Sequence, residues 1–488
     1  MTDSLKLPPQ EPITALQSPA ILPLKEENNE KIEPVPVSTL SEIKQTRENQ
    51  SEEIILPIKR STEINSTIFG ATFMLTNICL GTTIFTFAVR AKAFGLVWIL
   101  IACFICGAVN YWTITRGVAS SEKLKESDYS EITEKLLGKK GRLILNILII
   151  IYSYACIMCF LALIYPLFGR FIMSIGYRNK YNDFEEFKKD KWGKSYIKFP
   201  IFIVIAVILS LECLIKDINK LNFSAYLGVI AVIYTLIIIT IQCDTYYNDY
   251  KKNEYVENDK STHVNWTHLE KAFTSDLDFF KGMASLFAAY SCITGVFPVY
   301  EGFKHQENGL NKMKKSVFFS VCLTTALHVI SITCSYLTEP IYPEDVIIYR
   351  KPKEHNDKDI LMNIAKLMIT GSLIFTLPGY YFGLRLCVAN SFTGGNISNK
   401  FNYIFTFVSI FICSFIAAIY DKILNYLSYI GGFISVFVCY LFPILLYIKS
   451  TGKPITYWKN LIEFIGALIL VAIGITAGIL TIRDDIKK

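Results

Sequence analysis

Two apolar stretches of the sequence are interrupted in the same way, by small, hydroxylated and amide residues around a glycine. In the first stretch, FMLTNICLGTTIFTF, these residues are Thr76, Asn77, Gly81, Thr82 and Thr83. In the second, FAAYSCITGVFP, they are Tyr290, Ser291, Cys292, Thr294 and Gly295, with Pro298 after them. Glycine allows a helix to unwind, and nearby hydroxyl and amide groups can hydrogen-bond the backbone that is freed. Such a break offers backbone groups for binding ions and small ligands.

The ends of a broken helix carry opposite partial charges. The amino terminus of a half-helix presents N–H groups that suit a carboxylate, and the exposed carbonyls at the other end suit an ammonium group or a cation. A zwitterion fits both ends. Glycine and hydroxyl residues can also serve only to let helices pack closely, but two breaks at matched positions favour binding. The predicted substrate-binding residues are Thr76, Asn77, Gly81, Thr82, Thr83, Tyr290, Ser291 and Cys292.

The elements that position these residues are helices that cross a membrane. The chain is 52% hydrophobic and 19% charged, and its apolar residues fall in blocks. Each block has roughly 20 residues, the length that an α-helix needs to cross a bilayer. The sequence therefore predicts an all-α polytopic membrane protein of about eleven spans. Spans 1 to 11 are predicted at 68–89, 94–115, 143–168, 199–215, 223–241, 283–299, 317–337, 364–386, 403–420, 424–448 and 461–482.

The interruptions lie in spans 1 and 6. These are the first helices of two five-helix halves, and corresponding breaks in two halves indicate an inverted repeat with a substrate site near the bilayer midplane. Before span 3, the segment YSEITEKLLGKKGR (129–142) is compatible with a short helix, with Gly138 and Gly141 as stops.

Composition argues against several other classes of protein. The formal charge of +7 is spread over loops, without the basic stripe of a nucleic-acid groove. The thirteen cysteines lie inside or at the edge of apolar blocks, so we expect no structural disulfide. The sequence has no histidine-rich cluster, paired carboxylates within a span or nucleophile motif, so we expect no enzyme and no organic cofactor. It has no repeated filter-like loop of a channel either. The predicted partners are the lipid bilayer and a small substrate, and the predicted functional unit is a monomer.

Three ionisable residues fall inside predicted spans, where their burial is costly. His328 in span 7 is interpreted either as a proton-carrying group or as a hydrogen-bonded core histidine. Glu212 in span 4 is expected to pair with Lys216 one turn on, and Glu463 to extend from the end of span 11 towards the membrane surface.

The ends and loops give the predicted domains and topology. Residues 1–60 are polar and lack an apolar core, which predicts a disordered cytoplasmic tail before a membrane domain over 61–488. With the amino terminus inside, most short basic loops face the cytoplasm, although 170–198 does not follow the rule. The loop 244–281 then faces outward and holds the glycosylation sequon at Asn265.

Several sequence blocks resemble one transporter family. NICLGTTIF resembles the first-helix signature of the amino acid/auxin permease family, which includes the sodium-coupled neutral amino acid transporters; Asn77 and Gly81 match, and Thr83 replaces the second glycine. LLGKKGR, VFPVYEGFK, FTLPGYYFGLR and SYIGGFISVFVCYLFPILLYIK look like family blocks in family order, over residues 62–482. The chain departs from the family in span 6, where Cys292-Ile293 stands in place of a frequent Cys-His.

The resemblance implies a LeuT-like five-plus-five inverted repeat with one additional helix, and amino acid symport with sodium or protons by alternating access. It also implies a cation-binding role for Asn77 and Thr376. Ser372 lies four residues before Thr376, on the same helix face, and completes the predicted set. In the alternative interpretation, Thr376 binds no cation and its hydroxyl only hydrogen-bonds backbone groups that Pro378 leaves without a partner. The predicted location is the plasma membrane or an acidic vacuolar or lysosome-like membrane. The alternative function is an amino acid sensor that signals through its tail.

Overall fold

The computed structural model describes residues 66–177, 180, 184–192, 195–214, 222–252, 256–257, 260–261, 276–338, 344–350, 360–392, 398–420 and 422–486. The predicted tail, the sequon at Asn265 and Lys216 lie outside these residues, so the predictions for them stay predictions.

The described residues are almost all helical. Nine helices are long and apolar enough to cross a membrane, and the shorter apolar helices Ile68–Leu80 and Pro200–Cys213 bring the described part of the chain to the eleven predicted spans. Eight spans lie in helices without a break inside the span, which are Leu96–Leu124, Tyr129–Ile172, Ser195–Cys213, Asn222–Lys252, Gly309–Thr338, Ile360–Phe392, Asn399–Ile419 and Trp458–Ile486. These contain spans 2, 3, 4, 5, 7, 8, 9 and 11 respectively.

The other three spans are interrupted. Span 1 consists of Ile68–Leu80, the 3₁₀ turn Thr83–Phe85 and Phe87–Phe94, and span 6 consists of Asp276–Ala289 and Ile293–Glu301. Span 10 runs through Ile423–Tyr429, a π-helical section Ile430–Leu441 and Phe442–Ser450. The connecting segments include Met173–Tyr177, Phe184–Phe187, Lys188–Trp192, Ile347–Tyr349 and two short antiparallel strands, β1 Val256–Glu257 and β2 Lys260–Ser261.

The helix that contains span 3 is kinked near its start. Asp128 caps it by accepting hydrogen bonds from the amides of Ser130 and Glu131, and Gly138 then leaves helical geometry at φ 77°. The prediction that Gly138 ends a short helix is confirmed, because only this glycine adopts the positive φ that stops the helix. The stop predicted at Gly141 is wrong, since Gly141 continues the helix after the kink.

Spans 1 and 6 lie inside the bundle. Span 1 packs against spans 5 and 7, and span 6 packs against spans 10 and 11. Span 7 packs against spans 1, 2 and 5, while span 8 packs against spans 3 and 5. Large apolar side chains on the outward faces remain exposed, as contact with lipid tails requires; examples are Phe104, Ile404 and Ile462. The outer helices therefore supply both a lipid-facing surface and the walls around the breaks.

Glu463 near the start of span 11 is paired with a charge on another helix. Its carboxylate forms an ion pair with Arg116, in the helix that contains span 2, at 2.6 Å. The expectation that Glu463 extends towards the membrane surface stays a prediction. The guanidinium of Arg116 also lies 4.5 Å from the centre of the Tyr447 ring. The pair ties span 11 to the rest of the bundle, and pairing with a charge on a neighbouring helix could not be read from Glu463 alone.

Candidate functional site

The break in span 1 begins at Gly81. The helix ends at Leu80, and Gly81 takes φ 40° and ψ −137°, a conformation that residues with a Cβ rarely adopt. Hydroxyl groups hydrogen-bond the freed backbone: Thr83 donates to the Leu80 carbonyl at 3.0 Å, and Thr86 donates to the Thr83 carbonyl at 2.8 Å. The predicted unwinding is therefore present, and the Thr83 hydroxyl is engaged by its own backbone.

The break in span 6 follows Ala289 and ends where Ile293 starts the next helix. The Ser291 carbonyl accepts a hydrogen bond from the Tyr152 hydroxyl at 2.9 Å. The Ser291 hydroxyl donates to the Phe287 carbonyl at 2.5 Å. Cys292 precedes the first turn of the second half-helix, so the amides of that turn begin beside it.

The two breaks lie side by side. The Cys79 sulfur lies 4.0 Å from the Tyr290 carbonyl oxygen. A Cβ at Gly295 would lie 2.3 Å from the terminal methyl of Ile78, so the two spans approach closely here. The contact between the spans is thus made just before Gly81 in span 1 and on both sides of Ser291–Cys292 in span 6. The Thr82 hydroxyl instead lies 3.2 Å from the Cys159 sulfur of span 3.

The other predicted substrate residues point to neighbouring helices. The Thr76 hydroxyl donates to Ser320 of span 7 at 3.1 Å, and Asn77 contacts span 8. The Tyr290 hydroxyl lies 2.8 Å from the Thr325 hydroxyl and 3.1 Å from the Cys103 sulfur. These contacts position the half-helices rather than leave the side chains facing the breaks.

Two tyrosines at the breaks were not predicted from the sequence. Tyr152 of span 3 donates to the Ser291 carbonyl, and Tyr380 of span 8 donates to the Ile78 carbonyl at 2.9 Å. Phe160 completes the group, because its ring centre lies 5.3 Å from that of Tyr380 and its tip 3.7 Å from where a Gly81 Cβ would lie. An aromatic wall therefore covers both breaks from the side of spans 3 and 8.

The predicted cation residues also come together. The Asn77 amide nitrogen donates to the Thr376 hydroxyl at 3.1 Å, and Thr376 donates to the Ser372 carbonyl at 2.7 Å. Gly228 of span 5 closes the group: a Cβ there would lie 2.1 Å from the Asn77 carboxamide oxygen and 3.0 Å from the Ser372 hydroxyl. We call Asn77, Ser372, Thr376 and Gly228 the oxygen cluster. Its carbonyl and hydroxyl oxygens are the ligands that hard cations prefer.

Most side chains at the breaks are buried. Thr82, Thr83, Ser291 and Cys292 are buried, and so are Tyr152 and Tyr380. Gly81, Thr294 and Gly295 are partly exposed, so accessible surface remains beside both breaks.

Comparison with known proteins identifies the family. A family profile described as "Transmembrane amino acid transporter protein" matches residues 65–483, almost the whole helical part of the chain. The chain belongs to this family of transporters. The resemblance drawn from NICLGTTIF and the later blocks is thereby confirmed, and the expectation that the chain is no enzyme agrees with it.

Individual relatives are distant and match in part. A Macaca fascicularis protein provisionally named sodium-coupled neutral amino acid transporter 11 is 22% identical over 187 residues, which cover 38% of this chain and 40% of that protein. Amino acid transporter AVT6E of Arabidopsis thaliana is 24% identical over 189 residues, which cover 38% of this chain and 37% of that protein. The chain thus matches about two fifths of the length of these curated relatives.

The fold is that of LeuT-like transporters. The solved structure of a Na⁺-coupled sialic acid symporter in a substrate-bound, outward-open state is similar, with a TM-score of 0.50 at 9% identity. The match covers 85% of this chain and 90% of the symporter. The all-α architecture with a five-plus-five repeat and an additional helix, predicted from the sequence, is confirmed.

Proposed function

We propose that this protein is a secondary active transporter that moves amino acids across a membrane together with a cation. The observation that carries the proposal is the pair of breaks, Gly81–Thr82 in span 1 and Ser291–Cys292 in span 6, which lie side by side inside the bundle. Amino acid transport is the activity named for the family and for both relatives described above.

The breaks have the groups that a zwitterion requires. The unwound backbone at Gly81 and the first turn of the helix at Ile293 can direct N–H groups to the carboxylate. Carbonyl groups on the opposite ends, including that of Ser291, can accept hydrogen bonds from the ammonium group. The space between the spans is narrow where Gly295 approaches the Ile78 side chain. The substrate side chain would therefore lie towards the aromatic wall of Tyr152, Phe160 and Tyr380.

The oxygen cluster supports a coupling role for a cation. Asn77 is only four residues from Gly81, so a cation held between spans 1 and 8 would fix the first half-helix against the substrate break. In this structure Asn77 and Thr376 are joined by a direct hydrogen bond, and a bound cation would replace that bond by ligation to both residues. Sodium suits these neutral oxygens, and a proton is the other coupling ion that we consider.

The buried position of most of the break residues supports transport by alternating access. Helix movements would open the buried site to one side of the membrane at a time, as in other transporters with inverted repeats. We place the protein in the plasma membrane or in an acidic vacuolar or lysosome-like membrane, and we take the monomer as the functional unit. The sensor alternative rested on the tail, which lies outside the described residues, and no other observation favours it.

Uptake into proteoliposomes tests the proposal. Purified protein is reconstituted, and a panel of labelled amino acids is offered with an inward sodium gradient, an inward proton gradient or neither. We expect saturable accumulation of at least one amino acid that depends on one of the gradients. Saturable binding to the purified protein without uptake under any gradient would contradict transport and favour the sensor.

A further inference from the structure

The structure holds a buried titratable group that the oxygen cluster and the breaks do not use. His328 of span 7 is completely buried, and neither ring nitrogen has a hydrogen-bond partner among the described residues. Leaving a buried polar group without a partner costs about 1–3 kcal/mol. The interpretation of His328 as a hydrogen-bonded core residue is therefore wrong for this conformation, and its role requires another explanation.

His328 contacts the hinge points of both breaks. Its ring packs edge-on against Phe87, the first residue of the helix after the span 1 break, with ring centres 5.1 Å apart. It packs in the same way against Tyr290, which directly follows the first half of span 6, at 5.3 Å. Ser331, one turn on, donates a hydrogen bond to the Ile84 carbonyl inside the span 1 break. A movement that opens either break therefore changes the surroundings of this imidazole.

The present surroundings fit only the neutral ring. The titratable side chains nearest to His328 on packed helices are Tyr290 of span 6 and, beyond its hydroxyl, Cys103 and Cys106 of span 2. None of them is a carboxylate, and His328 makes no ion pair within the described part of the chain. A buried imidazolium without counter-charge would be costly, so the ring gains a proton only when water reaches it.

Charged groups on the other neighbouring helices are directed elsewhere. In the second half of span 1, Arg90 donates to the Ser428 hydroxyl of span 10 at 2.9 Å, and Lys92 lies in the last turn. The Cys243 thiol, in the helix that contains span 5, donates to the carbonyl of Cys334. Cys334 lies between one and two helical turns after His328 on span 7, so this thiol is directed away from the imidazole. No described neighbour therefore supplies the negative charge that would hold the proton in the closed conformation.

A stripe of hydroxyl groups connects His328 with both ends of span 7. Its members are Ser316, Ser320, Thr324, Ser331, Ser335 and Thr338, all buried. They lie three or four residues apart, with His328 in the series, so they share one helix face. The hydroxyls of Thr324 and Ser335 have no hydrogen-bond partner among the described residues. The two ring nitrogens of His328 are in the same situation. Hydroxyls and an imidazole in series are groups that can pass a proton when water enters between them.

We propose that His328 is a proton-binding site that couples proton movement to the opening of the two breaks. One ring nitrogen takes a proton from water when the helices open to one side, and returns it to water after they open to the other. This inference rests on the proposed transport function and adds a second ion site, on a different face of span 1 from the oxygen cluster. The substrate-free closed state excludes the charged ring, so the proton crosses only together with a bound amino acid, whose carboxylate in the breaks supplies the counter-charge.

The test measures proton movement and substrate movement separately. Proteoliposomes in sodium-free buffer contain a pH-sensitive dye, and an amino acid that passes the uptake panel is added outside. Exchange of labelled for unlabelled amino acid, which needs no ion gradient, is followed in parallel. The variants are His328→Gln and His328→Phe, and the matched control is His305→Gln, because His305 lies exposed in the loop before span 7.

We expect substrate-induced proton flux in the wild type and in the His305 control. Both His328 variants should lose that flux by about tenfold or more, within the range of ordinary coupling free energies. Their exchange should remain, and it should lose its dependence on pH between about pH 5 and 8, where imidazole changes charge.

Three outcomes would overturn the inference. Wild-type exchange without any substrate-induced proton flux overturns it and leaves the proposed transport function intact, whatever the variants do. Unchanged proton flux in either His328 variant also overturns it. Failure of the wild type to exchange or accumulate any amino acid overturns the transport function, and the proton site with it.

Discussion

Span 1 presents two different chemistries on two faces. The face towards spans 5 and 8 carries the oxygen cluster, where Asn77, Ser372 and Thr376 are joined by short hydrogen bonds beside Gly228. The face towards span 7 meets a hydroxyl stripe and the unpartnered ring of His328. Neutral oxygens suit a hard cation, whereas an imidazole suits a proton. Under the two proposals above, one broken helix is controlled by two ions at separate places.

The break itself underlies both faces, so the largest expected effect is at Gly81. Gly81→Val has room for its first carbon, but φ 40° imposes strain of about 1–3 kcal/mol on a residue with a side chain. We expect the break to reorganise and transport to fall about a hundredfold, measured as uptake per molecule at the membrane.

Gly452→Val is the matched control, because Gly452 has φ 70° in the turn after span 10 with no atom within 4 Å of its Cβ position. It carries a similar backbone strain far from the breaks and should transport normally. Uptake by Gly81→Val at the wild-type rate would show that transport does not depend on the break in span 1. It would also contradict the view that this break underlies both faces of the span.

Gly228→Ala separates the two faces. The added carbon would lie 2.1 Å from the Asn77 carboxamide oxygen, and relief of such overpacking costs about 1–3 kcal/mol. We expect the apparent sodium affinity in uptake to fall by about tenfold or more, while the substrate-induced proton flux at His328 persists.

Gly371→Ala on span 8 serves as its control, since its Cβ position has no neighbour within 4 Å. Equal sodium titration curves for Gly228→Ala and Gly371→Ala would show that the oxygen cluster does not bind the coupling ion.

Thr376→Ala tests the cation face through a single hydroxyl. Removal of a cation ligand should weaken apparent sodium affinity by about tenfold, and by more than it weakens amino acid affinity at saturating sodium. Thr370→Ala is the control within the same helix, because Thr370 makes the same type of hydrogen bond to the carbonyl four residues earlier, at 2.7 Å, without a recorded contact with Asn77. If both variants behave alike, Thr376 only satisfies backbone near Pro378.

Tyr380→Phe should have the smallest effect. It should change substrate transport through the break in span 1 and leave the oxygen cluster unchanged. It removes the hydrogen bond to the Ile78 carbonyl, worth about 1 kcal/mol, so we expect a several-fold lower uptake rate with unchanged sodium affinity. Tyr381→Phe is the adjacent control, since the Tyr381 hydroxyl contacts Thr406 on span 9 instead. A larger loss in Tyr381→Phe than in Tyr380→Phe would contradict the aromatic wall as part of the site.

The two breaks could be predicted from the sequence because their signals are local. Gly81 and Gly295 stand among hydroxyl residues inside apolar blocks, and only an interrupted helix explains that composition well. Asn77 and Thr376 came from the family resemblance, and Ser372 from its position one helical turn before Thr376.

The remaining parts of the site depend on which helices meet. Tyr152 and Tyr380 have the same residue type as tyrosines at a lipid interface, so the sequence does not show that their hydroxyls bind carbonyls of other helices. Gly228 stands between the apolar residues Leu227 and Val229, and its role arises only from contact with Asn77 and Ser372 of other spans. The pairing of Glu463 with Arg116 was missed for the same reason: periodicity gives the face of a helix but not its partner.

The proposed function requires that the substrate lies between the two breaks. The most direct measurement is an experimental structure of the purified protein with a transported amino acid bound. We predict that the amino and carboxylate groups lie between Gly81–Thr82 and Ser291–Ile293, with the side chain against Tyr152 and Tyr380. Density for the amino acid only elsewhere, such as the peripheral crevice between Tyr177 and Asn363, with the breaks still closed on each other, would contradict the claim.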